Sequence, residues 1–180
     1  MNRYVIINGA GGVGKDEFVK KCGIFNENVV NMSTIEFVKK IALSCGWDGK
    51  KDERGRRFLS DLKDALTRYD NIPIKYILES LRNYSNSVIF IHCREPDEIQ
   101  KLKETLGARS LLVVNKNVPR VETNHADRCV FNCEYDYVVD NSGTLGELIE
   151  NAQIFLLWLE NEYRSDNNGV QSEVPILSKD

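Results

Sequence analysis

The chain has 180 residues, 42% of them apolar, and a formal net charge of −3. That is enough for one buried core, and too evenly charged for a protein that grips nucleic acid through a basic surface. No apolar run approaches the ~20 residues needed to cross a bilayer, and Met1-Asn2-Arg3 leads straight into a strand rather than a signal peptide, so a cytoplasmic protein is expected.

In chain order, "RYVIING" (3–9) is a short apolar run before glycines and predicts a buried strand; residues 14–22 then read as a helix. "NVVNMS" (28–33) is a second strand. Ser33 and Glu36 have capping-box spacing, opening a helix with Ile35, Val38 and Ile41 on one face and ending at the turn "CGWDGK". From Asp52 to Tyr69 the residues Phe58, Leu59, Leu62, Ala65, Leu66 and Tyr69 keep a helical period, with an outer face dense in charge. A helix carrying Ile74, Ile77, Leu78 and Leu81 follows Pro73.

"SVIFIHC" (87–93) is a third strand. Glu95-Pro96-Asp97-Glu98 starts a helix, with proline early and acids in the first turn, and Gly107 is its expected C-cap. "SLLVVN" (110–115) and "YDYVVD" (135–140) are strands on either side of a polar, irregular stretch, 116–134. Thr144 and Glu147 cap a last helix expected to reach about Glu160, and the tail from Arg164 is polar and expected to be loosely held. Continuous apolar strands alternating with helices predict an α/β fold whose parallel sheet is covered on both faces, with ligands at the carboxyl ends of the strands.

Five cysteines (22, 45, 93, 129, 133) form no regular framework, which suits reduced thiols. His125, Cys129 and Cys133 fall at steps of four on one helical face. That spacing is looser than a zinc signature, and ordinary thiols are the plainer reading.

The chemistry concentrates in "NGAGGVGKDEF" (8–18), which fits two patterns. Gly9-Ala10-Gly11-Gly12-Val13-Gly14 matches the dinucleotide fingerprint G-x-G-x-x-G, and Gly9 to Lys15 matches the phosphate loop G-x-x-x-x-G-K. Both place phosphate at a helix N-terminus. The dinucleotide reading wants an acid at the end of strand two, where Asn31-Met32-Ser33-Thr34 stands. The phosphate loop wants a lysine, and Lys15 is there. The hydroxyl residue that normally follows, a magnesium ligand, is replaced by Asp16. Because Mg²⁺ keeps several waters, Asp16 would hold it through a bound water. The plainer reading of Asp16 and Glu17 is that they complement the helix dipole.

With these residues in place a family resemblance is visible. "GKD", a charged helical segment, "CREPDEI", "NHADR" and "YDYVVDNSGTLGEL" resemble the phosphate-loop nucleoside monophosphate kinases, the deoxynucleoside monophosphate kinase-like proteins of phages and their bacterial hosts above all. The last segment is also similar to dephospho-coenzyme A kinase. The likeness spans roughly residues 3–160.

It implies a three-layer α/β/α P-loop NTPase fold with a parallel five-stranded sheet. A kinase domain (1–163) would contain acceptor-binding helices (33–82) and a lid (116–134), with a polar tail (164–180). The implied activity is transfer of a phosphoryl group from ATP, with Mg²⁺, to a (deoxy)nucleoside monophosphate, in deoxynucleotide metabolism.

Residue by residue, Gly9, Gly11, Gly12, Val13, Gly14, Lys15, Asp16 and Glu17 would hold ATP phosphates. Lys15, Arg94 and Arg128 would be catalytic, with Arg120 and Arg128 on the lid. Arg54, Arg57 and His92 would meet the acceptor, and Asn141, Ser142 and Gly143 would line the adenine pocket. Two positions depart from the family pattern: Asp16, and His92, where an aspartate is usual two before the arginine. The partners implied are small nucleotides, with no nucleic acid or membrane, on a monomer or homodimer. Two other readings stay open: a kinase of another small phosphorylated metabolite such as a coenzyme precursor, and a nucleotide-binding regulatory module with weak catalysis.

Overall fold

In the computed structural model the described residues are 1–119, 130 and 134–169. Five strands, β1 (Arg3–Asn8), β2 (Val29–Ser33), β3 (Val88–His92), β4 (Arg109–Val114) and β5 (Tyr137–Asp140), pair in parallel in the order β2-β3-β1-β4-β5. The first strand is therefore central, and its carboxyl end lies between those of β3 and β4.

Both faces of the sheet are covered, which is why the strands read as unbroken apolar runs instead of alternating ones. Val5 and Ile7 of β1 point to one face and pack with Phe18, Val19 and Cys22 of α1 (Lys15–Phe25) and with Leu148, Ala152, Phe155 and Leu159 of α6 (Leu145–Gly169). Ile6 points the other way, into a second cluster with Ile74 and Ile77 of α4 (Ile72–Ser80) and Ile99 and Leu102 of α5 (Pro96–Leu106). Phe18, Phe90 and Phe155 meet ring to ring beneath α1, with Phe18–Phe90 and Phe18–Phe155 edge-on. The three-layer α/β/α arrangement with a five-stranded parallel sheet is the expected one.

A small satellite core, Val38 and Ala42 of α2 (Thr34–Ser44) with Leu59 of α3 (Glu53–Asp70), stands apart from both large clusters. Here the apolar period of α3 misleads. Leu59 is buried and Leu62 and Leu66 pack against the satellite, but Phe58, Ala65 and Tyr69 are exposed, Tyr69 to 83%. Among the described residues helix α3 packs chiefly on α2 and α4, so a narrow stripe suffices.

Capping chemistry follows the sequence in part. Thr144 and Glu147 form the expected reciprocal box, Glu147 N–H donating to Thr144 Oγ1 at 3.3 Å and Thr144 N–H to Glu147 Oε2 at 2.6 Å. Gly107 ends α5 with φ 59°. Ser33 sits at the start of α2 but makes no side-chain cap, and Glu36 pairs with Lys39 instead; Ser33 is the last residue of β2, and its extended backbone belongs to the ladder with His92. The last helix runs nine residues beyond Glu160 because Arg109 on β4 reaches it, binding Glu162 at 3.1 Å and Asp166 at 2.5 Å, while the Tyr163 hydroxyl bonds Tyr4 and Gly107.

Candidate active site

The turn after β1 is shaped by glycine where no other residue fits. Gly9 has φ 145°, and a Cβ there would lie 2.4 Å from the Val113 carbonyl oxygen of the neighbouring strand. Gly12 and Gly14 also have positive φ, 81° and 93°, and Gly14 is the N-cap of α1. A Cβ on Gly11 would meet nothing within 4 Å. The loop therefore presses its back on β4 and leaves open space over Gly11, in front of the helix N-terminus. Val13 is buried and contributes to the core, so it offers only its backbone to the concave side.

Lys15 folds over this loop. Its Nζ donates to the carbonyl oxygens of Gly9 at 2.6 Å and Ala10 at 2.8 Å. An ammonium and the N–H groups of the first turn thus converge on one small volume, an arrangement able to receive phosphate oxygens. Asn8 and Asn141 brace it from outside, and neither role was legible in the sequence. Buried Asn8 accepts from Gly9 N–H at 2.8 Å and donates to the Tyr135 hydroxyl at 2.8 Å, which in turn donates to the Val130 carbonyl. Asn141 Nδ2 donates to the Val13 carbonyl at 2.8 Å. The signal that would have found Asn8 is an amide side chain at the last position of an otherwise apolar strand.

Asp16 lies at the start of α1, 77% exposed. Its Oδ1 accepts from Asn31 Nδ2 at 3.0 Å and sits 3.5 Å from His92 Nε2. His92 is largely buried at the end of β3, between Ile7 and Ser33 in register, and its Nε2 has no hydrogen-bond partner. Burial pulls its pKa down to about 4, against the attraction of Asp16 and with help from the Lys15 and Arg94 charges, so the ring is neutral at pH 7. Arg94 follows two residues later and is half-buried. The described residues hold no group of three or more His, Cys, Asp or Glu side chains suited to a metal ion. With Asp16 exposed at the helix start, the donors present fit a Mg²⁺ carried by phosphates and waters, not one caged by protein.

Glu17 turns outward along α1 to Lys21 at 2.8 Å and Lys20 at 3.7 Å, which hold its carboxyl below the usual range; what it offers the loop is its backbone N–H. Arg54 and Arg57 are brought together, with Asp52 and Glu53, around an open depression of about 420 Å³. That first turn of α3 is pinned by the Asp52 cap on Gly55 N–H (2.7 Å), and Gly55 is close against the Lys50 carbonyl. Ser142 accepts from Lys116 N–H at 2.8 Å and its carbonyl from Asn117, which ties this turn to residues 116–117. Arg120, His125, Arg128, Cys129 and Cys133 lie outside the described residues.

Glu98 lies in the first turn of α5 as expected, but it faces inward. It is 5% exposed, accepting from Lys63 Nζ of α3 at 2.8 Å and from the Cys93 thiol at 3.2 Å, and its Oε1 has no partner. Burial, with the Glu98 charge beside it, pushes the Cys93 thiol up, so that thiol is inert.

No family model matches the sequence, and no curated protein matches it. Solved structures do. A Thermus thermophilus protein superposes with a TM-score of 0.59 at 17% identity over 87% of this chain and 96% of that one. The gluconokinase from Sinorhizobium meliloti gives 0.51 at 14% over 95% and 98%, and a sugar kinase from a Janibacter species gives 0.50 at 14% over 87% and 95%. At such identities the likeness is one of fold: the chain shares the fold of these three proteins, two of them sugar-acid or sugar kinases by description, along nearly their whole length. No helix among the described residues is long and apolar enough to cross a membrane.

Proposed function

We propose that the chain is an ATP-dependent phosphotransferase acting on a small acceptor, with a (deoxy)nucleoside monophosphate as the acceptor. The observation that carries the reading is the loop Gly9–Lys15: glycines at positive φ, open space over Gly11, and the Lys15 ammonium turned onto the loop carbonyls. When polyphosphate enters, Lys15 exchanges those two carbonyls for phosphate oxygens, and the α1 N-terminus supplies backbone donors. Mg²⁺ would neutralise charge between the phosphates, with Asp16 reaching it through water. Arg94, just after the carboxyl end of β3, would grip oxygens between donor and acceptor.

The choice of a phosphate acceptor over a hydroxyl rests on His92. A hydroxyl nucleophile gives up a proton in the reaction, and a ring with a pKa of about 4 is a weak base for it at neutral pH. A phosphate acceptor is already ionised and needs no base. Arg54 and Arg57, which line one depression at the start of α3 beside Asp52 and Glu53, would meet that dianion.

The test is ADP release coupled to a panel of nucleoside monophosphates, with Lys15→Met alongside. Turnover stimulated by at least one monophosphate is expected, and Lys15→Met should weaken ATP binding about 10- to 100-fold, the worth of charge-assisted hydrogen bonds. Acceptor-independent hydrolysis alone, with Lys15→Met binding ATP as well as wild type, refutes the proposal.

A further inference from the structure

The two groups of cations that the proposed reaction needs sit on separately packed parts of the molecule. Arg94 follows β3 and belongs to the sheet. Arg54 and Arg57 ride on α3, whose apolar contacts in the satellite core are made with α2 and Trp47. A buried bond spans the two parts. Lys63, six residues after Arg57 on α3, reaches Glu98 of α5, whose same oxygen takes the thiol of Cys93, the residue before Arg94.

The arrangement is a poor one for stability alone. Glu98 and Lys63 are 6% and 15% exposed at the side chain, and Glu98 Oε1 is left without a partner. Buried ion pairs commonly stabilise no better than apolar residues of the same volume, because desolvation offsets the attraction. What such a pair does supply is direction: a charge-assisted bond has one length and one angle, whereas a leucine–methionine contact can slide.

We propose that Lys63 and Glu98 are positioning residues that fix α3, and with it Arg54 and Arg57, against the turn carrying Arg94. The inference rests on the phosphotransferase reading for its kinetic consequence but not for its structural one.

The decisive variant is the apolar double replacement Lys63→Met/Glu98→Leu. It should melt at or above the wild-type temperature. The orientation of α3, read by residual dipolar couplings of residues 53–70 against those of the sheet, should lose its single solution. With the best monophosphate of the panel, acceptor KM should rise about tenfold while ATP KM stays unchanged. The single variant Lys63→Met, which strands the carboxylate, should show the same KM split at a lower melting temperature. A purely structural pair predicts that melting temperature and KM move together. Double-variant couplings and KM values equal to wild type overturn the proposal, as do equal rises in both KM values. If no monophosphate is turned over, the functional reading fails while the couplings still decide the positioning role.

Discussion

Protonating His92 should unfold part of what its burial stabilises, and the size of the effect follows from its surroundings. The ring has an ordinary pKa of 6.5 and is pulled to about 4 in the folded chain, chiefly by burial. The unfolded chain therefore takes up a proton at a higher pH than the folded one. Above about 6.5 both states are neutral and nothing changes. Between 6.5 and about 4 the unfolded state alone gains the proton, so stability falls as pH falls, and below about 4 the loss is complete. At about 1.4 kcal/mol for each tenfold difference in proton affinity, the loss is about 3 kcal/mol.

The assay is urea unfolding of wild type and His92→Asn from pH 7.5 to 4, taking the difference between the two proteins so that carboxylates common to both cancel. That difference should change by about 3 kcal/mol across the interval. The chain has two histidines, so imidazole resonances give a second reading: one of them should stay neutral to about pH 4. A His92 resonance titrating near 6.5, or a stability difference flat with pH, refutes the placement of an unpartnered, buried Nε2 beside Asp16.

The loop glycines should separate by role. Gly9→Ala places a methyl 2.4 Å from the Val113 carbonyl at positive φ and should cost about 2–4 kcal/mol in urea unfolding. Gly11→Ala meets nothing, so its stability should stay within about 0.5 kcal/mol of wild type while triphosphate affinity by calorimetry falls at least tenfold. Equal effects at the two positions would be inconsistent with this loop. Asn141→Ala leaves the Val13 carbonyl without its 2.8 Å donor and should cost about 1–2 kcal/mol, with a parallel loss of triphosphate affinity; an unchanged unfolding midpoint would show that the brace is idle.

The sequence by itself determined the parallel α/β class and the phosphate loop. Strands buried on both faces must be apolar throughout, and a glycine-rich turn before a lysine has few other uses. The Thr144–Glu147 box and the Gly107 cap were legible for the same reason: they act within four residues. Tertiary structure decided whatever depended on what stands opposite. Ser33 lost its cap to the ladder with β3, and α3 buried a narrow stripe because it packs chiefly on two helices. Arg109 carried the last helix past Glu160. The bracing contacts of Asn8 and Asn141 and the Lys63–Glu98 pair were invisible because their partners lie far along the chain, 127, 128 and 35 residues away. Hydrophobic period and capping are local properties that one stretch of sequence can express, whereas a buried polar group takes its meaning from the group it meets, and only the folded chain brings the two together.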